Sequence, residues 1–421
     1  MPFEDVLLEV EEFESVRRPL RVAVVTETYP PEVNGVAMTV ARTVQGLLQR
    51  GHSVQVLRPR QHGADRAATG EAMHEVLMRG LPIPRYPGLR MGVPAKRAIV
   101  KRWSVQRPDV VHIATEGPLG WSALQAARVL KLPVTSDFRT NFHAYSRHYG
   151  VGWLRKPIVA YLRRFHNACG ATMVPTETLR ADLQACGFER LRVVARGVDT
   201  ELFDPARRDP ELRRQWGAGP DDRVVLCVGR LAPEKNLALL VQAYEQALQR
   251  HPGVRLVLVG DGPLRESLQR RVPQAHFAGT RTGTDLGRHY ASADLFVFPS
   301  LTETFGNVTL EALASGLPVV AFDCAAASRF VVPGQQGWLA PPDEPTRFLA
   351  CVQEALDLDG HALHRMGAAA RASLLHRGWE QVIEQFEACL MEALGRAQTA
   401  AGQGGSGYPH AGRQSAIRSS A

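Results

Sequence analysis

"RVAVVTETYPPEVNGVAMTVARTVQGLLQRGHSVQVL", residues 21–57, sets the pattern of the whole chain. Arg21–Thr26 is a short unbroken apolar run, as a strand buried on both faces requires. Residues 27–35 hold the prolines and the glycine of a loop. From 36 to 50 apolar residues recur at helical spacing, with Val36, Val40, Val44, Leu47 and Leu48 on one face, and Gly51 ends the helix. "SVQVL" then alternates as a second strand.

The same order continues outward. "DVVHIA" (109–114), "PVTS" (133–136), "ATMVP" (171–175) and "LRVVA" (191–195) read as further strands with helical segments between them. After the polar stretch "DTELFDPARRDPELRRQWGAGPDD", the pattern restarts with "RVVLCVG", a helix from Asn236, "VRLVLVG", "DLFVFPS", a second helix and "PVVAFD". Alternating strand and helix argue parallel sheets covered on both faces. The expected fold is α/β, with two doubly wound Rossmann-like domains facing a cleft. Their expected bounds are 21–200 and 223–375, with an extension at 1–20 and a linker at 201–222. A C-terminal helix is expected at 376–396, and the Gly/Ser-rich tail 397–421 is expected to be disordered. Ligands of open α/β sheets bind at the carboxyl ends of the strands, so the chemistry belongs in the loops that follow them.

At 421 residues the chain can bury two cores, and 45% hydrophobic with 22% charged residues is ordinary globular composition. Its six cysteines are scattered without a CxxC pair, which argues against a disulfide framework or structural zinc and for a reducing compartment. The acidic N-terminus does not read as a signal peptide, and no apolar run reaches the roughly 20 residues of a membrane span. The expected location is cytoplasmic, with attachment at the inner face of the cell membrane a further expectation. That expectation comes from the net charge of +8 and its placement: Arg79 to Arg107 includes eight basic residues and no acidic one. The segment reads either as a solvated face or as a surface for anionic headgroups, aided by Tyr86, Leu89, Met91 and Trp103. Nucleic acid is not expected, because no recognition helix, zinc finger or stacking motif accompanies the charge.

The chemistry concentrates in "LTETFGNVTLEALASG", residues 301–316. It follows a buried strand, so Asn307 opens a helix whose apolar stripe is Val308, Leu310, Leu313 and Leu317. Amides from Phe305 to Val308 lack helical partners and favour an anion. Glu303 lies just outside that mouth and Glu311 one turn inside. Two carboxylates beside a phosphate repel it, but they suit hydroxyls on either side of one, as in a nucleotide sugar. The plainer reading makes Glu303 a loop residue and Glu311 an acid favouring the helix dipole. The loop "GRLAPEKN" (229–236) brings two cations, Arg230 and Lys235, and "GDGP" (260–263) reads mainly as turn chemistry.

With "VGRLAPEKN", "VGDGP", "RGVDTELFDP", "SGLPVVAFD" and "GQQGWLAPPDEP" in order, "ETFGNVTLE" resembles the Glu-x7-Glu signature of family-4 retaining glycosyltransferases with the GT-B fold. "ETYPPEVNGVAMTV" and "LPIPRYPGLRMGVP" are similar to the branch that adds mannose, glucose, glucuronic acid or sulfoquinovose to lipid acceptors. The resemblance spans roughly residues 20–395. It implies that Gly35 lets backbone approach the donor diphosphate. Arg230 and Lys235, with the amides of Gly306, Asn307 and Val308, would hold that diphosphate, beside Phe305. Glu311 would bind the ribose hydroxyls, and Glu303 the transferred sugar. No Asp-x-Asp motif stands in the donor loops, so no metal or other cofactor is expected. The donor is expected to be GDP-mannose or a UDP-hexose, and the acceptor a lipid or lipid-linked glycan.

One departure matters. Many relatives carry a His in an "F-H-T" step, whereas "SDFRTNFHAYSRHYG" has Arg139 there. Arg cannot serve as a base, but it can hydrogen-bond the sugar or the leaving phosphate. His143, in the same loop as Asp137 and His148, is a candidate substitute. Competing readings are a GT-B nucleotide-sugar 2-epimerase and a non-catalytic sugar-nucleotide-binding partner. A dinucleotide oxidoreductase is disfavoured, since "TETYPPEVNG" lacks GxGxxG and "VLRPR" ends the second strand without an acid.

Overall fold

The computed structural model describes residues 18–403, apart from 33, 84–85, 140–154, 302, 304 and 376. In the first half, β1 (Arg21–Val25), β2 (Ser53–Pro59) and β3 (Met73–Met78) are followed by a separate antiparallel hairpin, β4 (Gly80–Ile83) and β5 (Tyr86–Gly92). Then come β6 (Val110–Ile113), β7 (Val134–Asp137), β8 (Ala171–Val174) and β9 (Leu191–Val193). The seven-stranded sheet is ordered β3-β2-β1-β6-β7-β8-β9 and is parallel throughout. Order reverses beside β1, the switch point where a doubly wound sheet opens its crevice.

Alternate residues of β1 explain its unbroken apolar run. Val22 and Val24 join one core with Val40, Val44 and Leu47, while Ala23 and Val25 join the opposite core with Leu119 and Ala123. Trp103 is fully buried in that second cluster, and its indole N–H donates to Gln55 at 3.0 Å. It therefore seats the helix Lys96–Val105 and is not available to a membrane surface, contrary to the sequence expectation. Val105, two residues on and so on the opposite face, is exposed instead. The side chains of Tyr86 and Leu89 lie outside the described residues.

The second half builds β10 (Arg223–Val228), β11 (Val254–Val259), β12 (His276–Gly279), β13 (Leu295–Phe298), β14 (Val319–Phe322) and β15 (Gly337–Ala340). Its six-stranded parallel sheet runs β12-β11-β10-β13-β14-β15, again reversing beside the first strand. The stretch 201–222 folds onto this half: Phe203, Leu212 and Trp216 are buried in its core, and the helix Pro210–Gln215 is capped by Asp209.

The last helix, Trp379–Gln403, runs past the expected end at 396, because Ala and Gln dominate its final turns and sustain helix. It returns to the first sheet, where Val382, Phe386 and Leu390 close the core over Val22 and Val24. Gly46 makes room for it: a Cβ there would lie 2.4 Å from Ile383 Cγ1. No described helix is long and apolar enough to cross a membrane.

Candidate active site

The opening loop of the second sheet's switch point is built around left-handed backbone. Gly306, at φ 89°, caps the helix Asn307–Ala314 with no side chain to accept its first amides. A residue with a Cβ there would be strained, and the first-turn amides are left facing the cleft. Phe305 is buried against Phe330, its ring 6.1 Å away, and its carbonyl accepts from Ala326 N at 2.7 Å. Leu310, Leu313 and Leu317 are buried beneath the helix, and Val308 packs partly against the same core. The loop is thus pinned on both sides of the mouth.

Glu303 accepts from Ser300 Oγ at 2.7 Å and is ion-paired with Lys235. Lys235 closes the turn Pro233–Lys235, after which Asn236 is left-handed at φ 53° and the helix Leu237–Arg250 begins. Its ammonium lies 5.4 Å from the centre of the Phe298 ring. A cation and a carboxylate given separate roles by the resemblance therefore sit in direct contact. Arg230 is half-exposed at the rim and ion-paired with Glu234. "GDGP" supports this loop from below. A Cβ at Gly260 would lie 2.0 Å from Gly229 O, and Leu231 N donates to Asp261 O at 2.9 Å.

Glu311 accepts from the Tyr290 hydroxyl at 2.8 Å. Tyr290 is fully buried, with ring centroids 5.4 Å from Phe203 and 5.8 Å from Phe296. Burial raises the Glu311 carboxyl to about 7, against the pull of the Tyr290 hydrogen bond. Burial also lifts the Tyr290 hydroxyl well above its ordinary value, with Glu311 adding to the rise. Sequence reasoning passed over Tyr290 because "GRHYASADL" reads as an ordinary helix end.

The first half meets this mouth with another helix N-terminus. Asn34 Oδ1 caps the helix Gly35–Gln49, accepting from Val36 N at 3.1 Å and Ala37 N at 2.9 Å. Gly35 faces Asn307, whose Nδ2 would be 3.9 Å from a Cβ added there. Asn307 Nδ2 also donates to Thr39 Oγ1 at 3.3 Å. Two helix N-termini, one from each sheet, thus converge beside Lys235 and Glu303.

Deeper in the first half, Arg139 is ion-paired with Asp137 and only 7% exposed. Arg196 Nη1 lies 3.9 Å and His112 Nε2 3.7 Å from the same carboxylate. Burial alone would raise Asp137, but Arg139, His112 and Arg196 hold it well below the usual carboxylate range. Burial pushes the neighbouring Glu116 up to about 7. Glu27 accepts from Gly92 N at 2.5 Å and Leu119 N at 2.9 Å, tying the first loop to the hairpin and to the helix Pro118–Val129. His143 and His148 lie outside the described residues.

Two parallel doubly wound sheets, with anion-seeking helix ends meeting across a cleft, define the GT-B architecture of glycosyltransferases. The chain belongs to glycosyltransferase family 4. Residues 33–202 match the family described as Glycosyltransferase Family 4, and residues 222–357 match Glycosyl transferases group 1. A GDP-mannose-dependent alpha-mannosyltransferase of Mycobacterium tuberculosis is 36% identical, covering 91% of this chain and 99% of that protein. An alpha-monoglucosyldiacylglycerol synthase of Streptococcus pneumoniae is 28% identical, covering 72% of this chain and 71% of that one. Sucrose-phosphate synthase from Thermosynechococcus elongatus shares the fold, with a TM-score of 0.74 at 20% identity over 91% of this chain and 100% of that one.

Proposed function

We propose that this glycosyltransferase moves a hexose, of mannose or glucose type, from a nucleotide diphosphate sugar to a lipid or lipid-linked glycan, with retention at the anomeric carbon. The observation that carries the reading is the Lys235–Glu303 pair at the amide-lined mouth of the helix Asn307–Ala314, with Gly35 facing it across the cleft. GDP-mannose is the first donor to test, since the mycobacterial relative is named for it, with UDP-hexoses next. A lipid acceptor follows the pneumococcal relative, whose name specifies diacylglycerol. The acceptor side works at the inner face of the cell membrane, through the basic segment 79–107.

In this reading the donor diphosphate lies along the Gly306–Val308 amides, with Lys235 and Arg230 beside it. Glu311 accepts from the ribose diol, and Glu303 from a hydroxyl of the transferred sugar. The bond from the anomeric carbon to the β-phosphate oxygen breaks. The acceptor hydroxyl oxygen bonds to that carbon on the same face, and its proton passes to the departing phosphate oxygen. Charge develops on that phosphate, and fixed cations and helix-end amides stabilise it as it forms, so no divalent metal is required. Arg139, held by Asp137, supplies a permanent cation near the reacting sugar and takes no proton.

Incubation with GDP-mannose or UDP-glucose and a membrane lipid extract tests this. The expected product is a glycolipid with the donor's anomeric configuration, formed equally well in EDTA. Tight donor binding with no turnover on any acceptor would overturn it. So would conversion of one nucleotide sugar into another without acceptor.

A further inference from the structure

The first half holds a second concave site that donor chemistry does not use. A cavity of about 430 Å³ opens at the carboxyl ends of β2 and β3, walled by Arg60, His62, Arg79 and Arg90, with Leu77 and Met78 in its lining. The three guanidinium groups have no carboxylate partner among the described residues. The Arg60 guanidinium donates to the Asp65 carbonyl at 3.2 Å, and that of Arg90 to the Gly80 carbonyl at 3.3 Å. Of the acids nearby, Arg58 binds Asp65 at 2.7 Å and Glu75 at 2.8 Å, and Glu32 accepts from the Thr28 hydroxyl and the Arg90 backbone N–H. Three like charges around one hollow repel each other, and an anion in the hollow relieves that repulsion.

What lies beside the cavity indicates where the anion comes from. Leu81 and Met91 oppose each other across the hairpin and are 46% and 37% exposed. Lys96, Arg97 and Lys101 are exposed on the adjoining helix, with Val105 at its end. An apolar pair flanked by a basic hollow and a basic helix matches a bilayer interface, with acyl chains below the headgroup layer and phosphates within it. The same hairpin is bonded to the acceptor side of the cleft through Gly92 N and Glu27.

We propose that this cavity is a headgroup site for the phosphate ester of an anionic membrane lipid, bound by Arg60, Arg79 and Arg90 while Leu81 and Met91 enter the acyl layer. Phosphate oxygens accept from the planar donor forks of arginine. The bound headgroup orients the cleft mouth toward the bilayer. The proposal rests on the membrane reading of the preceding section.

Flotation of the full chain with phosphatidylcholine vesicles, with and without phosphatidylglycerol, tests it. Wild type is expected to float only with the anionic vesicles. The triple variant Arg60→Gln, Arg79→Gln, Arg90→Gln is expected to lose about 100-fold in partitioning. A charge-matched control, Lys131→Gln, Arg270→Gln, Arg365→Gln, is expected to partition like wild type. Donor hydrolysis in detergent, unchanged in all three proteins, reports an intact fold, and the exposed single variant Arg79→Glu serves if the triple variant misfolds. Equal losses in triple variant and control would overturn the cavity while leaving the membrane reading in place. Inorganic phosphate raising the Tm of wild type but not of the triple variant, with vesicle binding equal, would make it a soluble-anion site and overturn the lipid assignment. Failure of wild type to bind anionic vesicles would overturn the membrane reading and the headgroup site with it.

Discussion

Tyr290→Phe isolates one atom of the proposed donor site. The ring remains between Phe203 and Phe296, and only the hydroxyl that donates to Glu311 at 2.8 Å is lost. A hydrogen bond to a charged acceptor contributes about 1.5–3 kcal/mol, and one pKa unit corresponds to about 1.36 kcal/mol. The bond favours the carboxylate, so its loss moves the Glu311 midpoint upward from about 7. The expected new midpoint is about 8–9 on that arithmetic. At pH 7 the ionised fraction then falls from about a half to about a tenth or less, and the donor KM rises at least about fivefold. The KM recovers above pH 9, while kcat stays near wild type because the proposed ribose contact is the same in the ground and transition states. Steady-state kinetics between pH 6 and 9.5 with saturating acceptor read this out. A KM profile that coincides with wild type, or a fall in kcat at constant KM, would refute the coupling of Tyr290 to donor binding.

Three further outcomes are expected. Glu303→Ala removes the partner of Lys235, and turnover should fall by about 100-fold or more with the fold intact by circular dichroism. Glu311→Gln should raise the melting temperature increasingly from pH 5 to 8. The folded carboxyl at about 7 lies above its ordinary 4.5, so its stabilising effect is present below about pH 4.5 and lost as pH rises through 7, about 3 kcal/mol in all. A pH-independent difference in Tm would contradict that sign. Gly46→Ala should cost about 1–3 kcal/mol through its clash with Ile383, and a compensating Ile383→Ala should relieve most of the clash, as urea denaturation of the double variant would show.

The parallel strands of both sheets' centres were legible because their apolar runs are buried on both faces, as Val22 through Val25 illustrate. β3, the hairpin, β12 and β15 were not: "MHEVLM", "HFAG" and "GWLA" are only partly buried and carry no clean period. The loop ends holding Gly35, Lys235, Glu303 and Glu311 could be placed from strand-to-helix order alone. Their partners could not. The contact of Lys235 with Glu303 joins two segments distant in sequence, and the bond of Tyr290 to Glu311 depends on how two helices pack. Trp103 was misread for a similar reason, since a basic neighbourhood hid a core position.

The path of the last helix has a consequence for synthesis. Val382, Phe386 and Leu390 finish one face of the first sheet, yet they emerge from the ribosome after the whole second half. The half translated first is therefore completed last. Until then Val40, Val44 and Leu47 lack their cover, and a nascent chain stalled before Trp379 offers chaperones an open apolar surface.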